Sequence, residues 1–137
     1  MSLPTGCPPD ALRIKPGLDS IMKGLQKLTS MKTNTLYLEE GVHVVSDDYV
    51  GIENPVIIFG AGRSKTIVKG GGFLIEGTNG GGQYVVLKDM TVLGSIASTE
   101  SAYNGLFGLY ASNGLSFLCE RMTFTQCGRS GVFANNT

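Results

Sequence analysis

The chain has 137 residues, of which 42% are hydrophobic and 16% charged, enough for one domain with a real core and too apolar for a disordered tail. Eleven basic residues balance eleven acidic ones, so no net field draws the protein to nucleic acid or to an anionic membrane surface. No apolar run approaches the roughly 20 residues of a membrane span, and the opening MSLPTGCPPDALRIKPG has no signal-peptide apolar core. A soluble protein is expected. Three cysteines, Cys7, Cys119 and Cys127, imply no disulfide framework and fit a reducing, cytoplasmic compartment.

In chain order, Leu18, Ile21, Met22, Leu25 and Leu28 recur at helical spacing, with Asp19, Lys23 and Lys27 opposite, which predicts one amphipathic helix over about residues 18 to 30. From Thr35 the period changes to two, first in Leu36 and Leu38, then in Val42 and Val44, with Glu39-Glu40-Gly41 as a turn. The 20 glycines sit between apolar runs without a collagen period, which marks a turn-rich β protein. Domain limits follow: residues 1–34 as an N-terminal segment with a capping helix, and 35–137 as the strand region.

The strand region repeats. Units open at Val56-Ile57-Ile58-Phe59, Val85-Val86-Leu87-Lys88 and Leu115-Ser116-Phe117-Leu118, 29 and 30 residues apart. Second strands follow at Thr66-Ile67-Val68, Thr91-Val92-Leu93 and Thr123-Phe124-Thr125, then third stretches at Phe73 to Ile75, Leu106 to Tyr110 and Gly131 to Phe133. Three short strands per unit predict one coil of a solenoid. Stacked at about 4.8 Å, Val56/Val85/Leu115 and Ile58/Leu87/Phe117 form inward columns, and the crossover rule makes the coil right-handed. The fold class expected is all-β: a short right-handed parallel β-helix of three to four coils with one capping helix. An incomplete first coil spans Thr35 to Pro55. The strand near Val132 is followed by no polar cap, so the expectation is that either the natural protein continues past Thr137 or the last coil buries its edge against a second copy as a homo-oligomer.

The stretch FGAGRSKTIVKG (59 to 70) resembles the opening coil of the pectin-lyase-like superfamily, especially the pectin methylesterases, and VVLKDMTVLGS and LSFLCERMTFTQC resemble later coils. The resemblance covers about residues 35 to 137. It implies the fold and an esterase pattern in which Asn104 and Gln126 stand near oxyanion-stabilising glutamines. The residue after Gln126 should then be the catalytic aspartate, and here it is Cys127. Methylesterase chemistry is therefore not expected. Calcium-dependent lyase chemistry needs converging carboxylates, whereas the adjacent acids Glu39-Glu40 and Asp47-Asp48 read as turns.

Other signals weigh less. Gly60 to Thr66 looks like a phosphate loop but leads into a strand and not a helix. His43 has no partner at metal-ligand spacing, and no cofactor or metal is implied. One constellation stands out: the corner after each first strand carries Arg63 and Lys65, then Lys88 and Asp89, then Glu120 and Arg121. Stacking aligns these as a surface ion-pair ladder or as a groove for an acidic polysaccharide or protein partner, with Tyr103 and Tyr110 adding aromatic faces. The expected function is a non-catalytic binding or spacing module; the alternative is a piece of a polysaccharide-active enzyme whose catalytic residues lie outside this chain.

Overall fold

The computed structural model describes residues 9–46, 49–77, 85–93, 108–112, 116–125 and 131–135. One helix, α1 (Ser20–Leu28), accompanies eleven described strands: β1 (Leu12–Ile14), β2 (Thr35–Leu38), β3 (Gly41–Val44), β4 (Tyr49–Ile52), β5 (Ile57–Gly60), β6 (Thr66–Lys69), β7 (Gly72–Glu76), β8 (Val85–Leu93), β9 (Leu109–Ser112), β10 (Phe117–Thr125) and β11 (Val132–Asn135). All described strand pairs are parallel. They make a seven-stranded sheet, β1-β2-β5-β8-β6-β3 with β10 on β8, and a four-stranded sheet, β11-β9-β7-β4.

The nine-residue strand β8 pairs with β5 through its first half and with β6 through its second. It therefore spans two strand positions that the chain elsewhere separates by the turn at residues 61–65. The joint is Asp89, whose φ of 62° lies in the left-handed region; Arg121, at φ 49°, takes the same place in β10. Simple alternation would put residue 90 on the outer face after buried Val85 and Leu87. One left-handed residue resets the phase, and Met90 and Val92 are buried as well. Asp tolerates this conformation better than most side chains; Arg does not share that preference.

The inward columns follow the register. Leu12, Leu36, Ile58, Leu87 and Cys119 stack in one, His43, Val68, Val92 and Phe124 in a second, and Val50, Phe73, Leu109 and Val132 in a third. Their middle members are fully buried, while Val132 is 42% exposed. At the opposite end α1 closes the core: Ile21 is buried, and Gly24 lies so near Ile14 and Leu36 that an added Cβ would come within 2.5 Å of Ile14 Cδ1. A glycine, poor as a helix former, is what lets the helix approach the sheet end.

Several expectations change in detail. The helix begins two residues later than the periodicity predicts, because Leu18 bridges to Val44 and Asp19 turns to accept hydrogen bonds from the Ser46 amide (2.9 Å) and hydroxyl. It ends where Thr29 and Ser30 hydroxyls bond back to the Gln26 and Lys27 carbonyls. The segment before it already contributes β1, and residues 35–55 make a complete set of three strands. The column Val56/Val85 and Ile58/Leu87 keeps its predicted register, but Phe117 pairs with Val85 and Cys119 with Leu87, so the first strand of the third unit lies two residues from its expected place, whereas its second strand stands as predicted, Thr123 on Thr91. A two-residue slip preserves the buried face, which is why periodicity could not detect it. Thr91 aligns with Ile67, not Thr66; Thr66 is instead a buried staple whose hydroxyl accepts from Ala61 N (2.9 Å) and donates to the Leu38 carbonyl (3.0 Å). Among the described residues no helix is long and apolar enough to cross a membrane.

Two glycines give a test of the packing. A Cβ on Gly60 would lie 2.6 Å from the Asp89 carbonyl oxygen and 2.7 Å from Thr66 Cβ, whereas one on Gly51 meets nothing within 4 Å. Gly60→Ala should destabilise the protein by about 1–3 kcal/mol, and Gly51→Ala should be neutral or stabilising by up to about 1 kcal/mol. Urea unfolding of both variants checks the pair; equal effects would mean that β5 and β8 do not meet as described.

Candidate functional site: a charged corner edge

The corner forms where the turn at residues 61–65 meets the bends of β8 and β10. Gly62 N–H donates to the Asp89 carbonyl at 2.9 Å, and the Thr91 hydroxyl donates to the Arg63 carbonyl at 2.7 Å. These bonds tie each corner to the next. Six of the eight predicted site residues, Arg63, Lys65, Lys88, Asp89, Glu120 and Arg121, accordingly lie along one edge. Tyr110 does not join them: it sits on β9 in the other sheet, its ring stacked on Phe133 with centroids 5.2 Å apart. Tyr103 lies outside the described residues, as do Asn104, Gln126, Cys127 and the Asp47-Asp48 pair.

Along the edge, charges are largely matched within the chain. Arg121 grips Asp89 at two points, Nε to Oδ1 at 2.5 Å and Nη2 to Oδ2 at 3.0 Å, and lies 3.8 Å from Glu120. The carboxylate's hydrogen bond, then its charge, raises the already high pKa of Arg121. Stacking explains the contact: Asp89 and Arg121 occupy the same corner in successive layers, so their side chains leave the sheet side by side. Next to them runs an outer column of Arg13, Tyr37, Phe59, Lys88 and Glu120. Tyr37 and Phe59 are buried and meet edge to face at 5.5 Å, and Lys88 Nζ lies 5.5 Å above the Phe59 ring. Arg13 pairs with Glu39 at 3.4 Å, which gives one of the predicted turn acids a partner. Arg63 and Lys65 are exposed and make no ion pair among the described residues.

Other candidates resolve by burial. The Cys119 thiol is half-buried, and desolvation pushes its pKa up to about 11, so it is protonated at neutral pH and a poor nucleophile. No group of three or more His, Cys, Asp or Glu side chains converges among the described residues. One feature was not read from the sequence: a cleft of about 350 Å³ between the end of α1 and the β4–β5 connection, lined by Leu25, Leu28, Ile52 and Val56 with Asn34 and Glu53 at its polar side. Its two walls, the end of α1 and the β4–β5 connection, are distant in sequence, so no local pattern pointed to it. Compared with known proteins, the chain matches no family model, no curated protein and no solved structure.

His43 is a core residue. It is 0% exposed, its Nε2 bonds the Glu39 carbonyl at 2.8 Å, and its Nδ1 is buried without a partner. With Nε2 as the N–H donor, protonation would place the added proton on Nδ1 inside the core. Burial therefore lowers the His43 pKa, partly opposed by the Glu39 carbonyl bond and carboxylate. The unfolded chain takes up a proton near pH 6.5 that the folded chain refuses, so stability is full above about pH 6.5 and falls as pH drops. The slope should approach about 1.4 kcal/mol per pH unit between the unfolded and folded pKa values. Urea unfolding at pH 7.5, 6.5 and 5.5 should show this loss in the parent and a flatter profile in His43→Leu. Parallel profiles would show that folding leaves the protonation of His43 unchanged.

Proposed function

We propose that the chain is a short right-handed parallel β-helix of the pectin-lyase-like kind, serving as a non-catalytic module for spacing and for weak binding of an acidic glycan or protein segment. Parallel register through three recurring strand positions supports the solenoid, and the crossover rule supplies the hand. The observation that carries the functional reading is the two-point Arg121–Asp89 pair. The acid and the base that a catalytic edge would need are spent on each other, and Lys88 is held over Phe59. Exposed Arg63 and Lys65 are the cations left for an external anion. Glu120 on the same edge offsets part of their field.

On immobilised polygalacturonate the protein should be retained weakly at low ionic strength and released by about 0.15 M salt, where the screening length is roughly 8 Å. The double variant Arg63→Ala/Lys65→Ala should lose retention with Tm within about 2 °C of the parent, as expected for exposed side chains. Absence of retention even at low salt would eliminate the binding role and leave the spacing role.

The purified protein should release no methanol from methylated pectin and no unsaturated product from polygalacturonate with added calcium. Turnover of either substrate at a rate proportional to protein concentration would overturn the non-catalytic reading.

A further inference from the structure

The cleft of about 350 Å³ beside α1 shares no described residue with the charged corner. Gly24 lets the helix settle against Ile14 and Leu36 on one flank. On the other, half-buried Leu25 and Leu28 line the cleft opposite the β4–β5 connection, and Ile52 and Val56, both core residues, complete its apolar surface. The polar side divides into engaged and free groups. The Thr29 hydroxyl donates to the Gln26 carbonyl at 2.7 Å, the Thr33 hydroxyl oxygen accepts from the Thr35 amide at 3.2 Å, and Asn34 Oδ1 accepts from the Thr35 hydroxyl at 3.4 Å. Glu53 and Asn54 are exposed, and their side chains make no hydrogen bond or ion pair among the described residues. Of the described residues lining the cleft, Glu53 alone carries a charge.

We infer that the cleft binds a small primary amine, with a short alkyl chain or single ring against Leu25, Leu28, Ile52 and Val56 and its ammonium group at the Glu53 carboxylate and the Asn54 carboxamide oxygen. The volume stands at the small end of the roughly 300–1,000 Å³ of ligand sites, which limits the apolar body to one such group. Covering the leucine and isoleucine surface removes it from water and favours binding. The single carboxylate sets the sign of the ligand's charge: an anion is repelled there, and a cation finds a partner. An ammonium group offers three N–H donors and no acceptor, which suits a carboxylate beside a free carboxamide. A quaternary ammonium would want an aromatic face, and no Phe, Tyr or Trp is among the described lining residues. A bare divalent cation would want six or more oxygen ligands, and the cleft presents one carboxylate. The site takes a ligand of opposite charge to that of the corner edge, so each can fail without the other.

Hexylammonium chloride, hexanol and sodium hexanoate, matched in chain length and ionic strength, separate charge from apolar fit. Titrated at neutral pH into the isotope-labelled full chain, hexylammonium should shift the amide resonances of residues 25–28 and 51–56 saturably, with a dissociation constant of about 1 mM or below. Hexanol should bind the same residues roughly three- to tenfold more weakly, and hexanoate should leave them unmoved. Glu53→Gln keeps the size of the side chain and removes its charge; it should bring hexylammonium down to the affinity of hexanol while the circular dichroism spectrum and Tm stay those of the parent. Glu40→Gln, an exposed carboxylate outside the described lining, should change nothing. Four results would each overturn the proposal: no saturable shift at residues 25–28 and 51–56, hexanol or hexanoate binding as tightly as the amine, Glu53→Gln keeping the parent's affinity, or equal losses from Glu53→Gln and Glu40→Gln.

Discussion

Each described strand of this protein pairs in parallel with its counterpart in a neighbouring layer, and the register of that pairing governs everything else. Parallel pairing places like positions above one another at about 4.8 Å, so one inward side chain commits those above and below it. Columns such as Leu36, Ile58 and Leu87 exclude water completely, and the burial of Leu and Ile side chains, each about 1.5–3 kcal/mol, favours a register in which none is displaced. The turns are selected to serve it: the Thr66 hydroxyl joins Ala61 to Leu38, and the Thr91 hydroxyl joins β8 to Arg63.

The corner shows how a local backbone choice sets surface chemistry. Asp89 and Arg121 are left-handed because the inward pattern must change phase as the strand rounds the core. Having the same role in successive layers, they project together, and a carboxylate beside a guanidinium becomes a two-point ion pair. The same stacking brings Lys88 over Phe59. The edge therefore has a structural origin before it has any binding role, and its exposed cations without an ion pair among the described residues are those of the turn at residues 61–65.

The two ends of the core are finished differently. At one, α1 buries Ile21 and uses Gly24 to settle against Ile14 and Leu36. At the other, the columns run out through half-buried Cys119, Met122 and Phe124 to exposed Val132.

The sequence by itself determined the strand-rich class, the single amphipathic helix and the alignment of Val56 with Val85, because alternation and repeat length report which side chains face inward. It also placed Arg63, Lys65, Lys88, Asp89, Glu120 and Arg121 on recurring corners. Tertiary structure decided what alternation cannot distinguish. The first strand of the third layer lies two residues from its apparent place, since Phe117 and Leu115 have the same parity. Strand β1 forms because three residues near the N-terminus find β2, a contact no local pattern announces. Tyr110 parts from the corner because its strand belongs to the other sheet, and the Asp89–Arg121 pair joins residues 32 apart in sequence. In each case the deciding quantity is which strand lies alongside, and that is fixed only when the whole core closes.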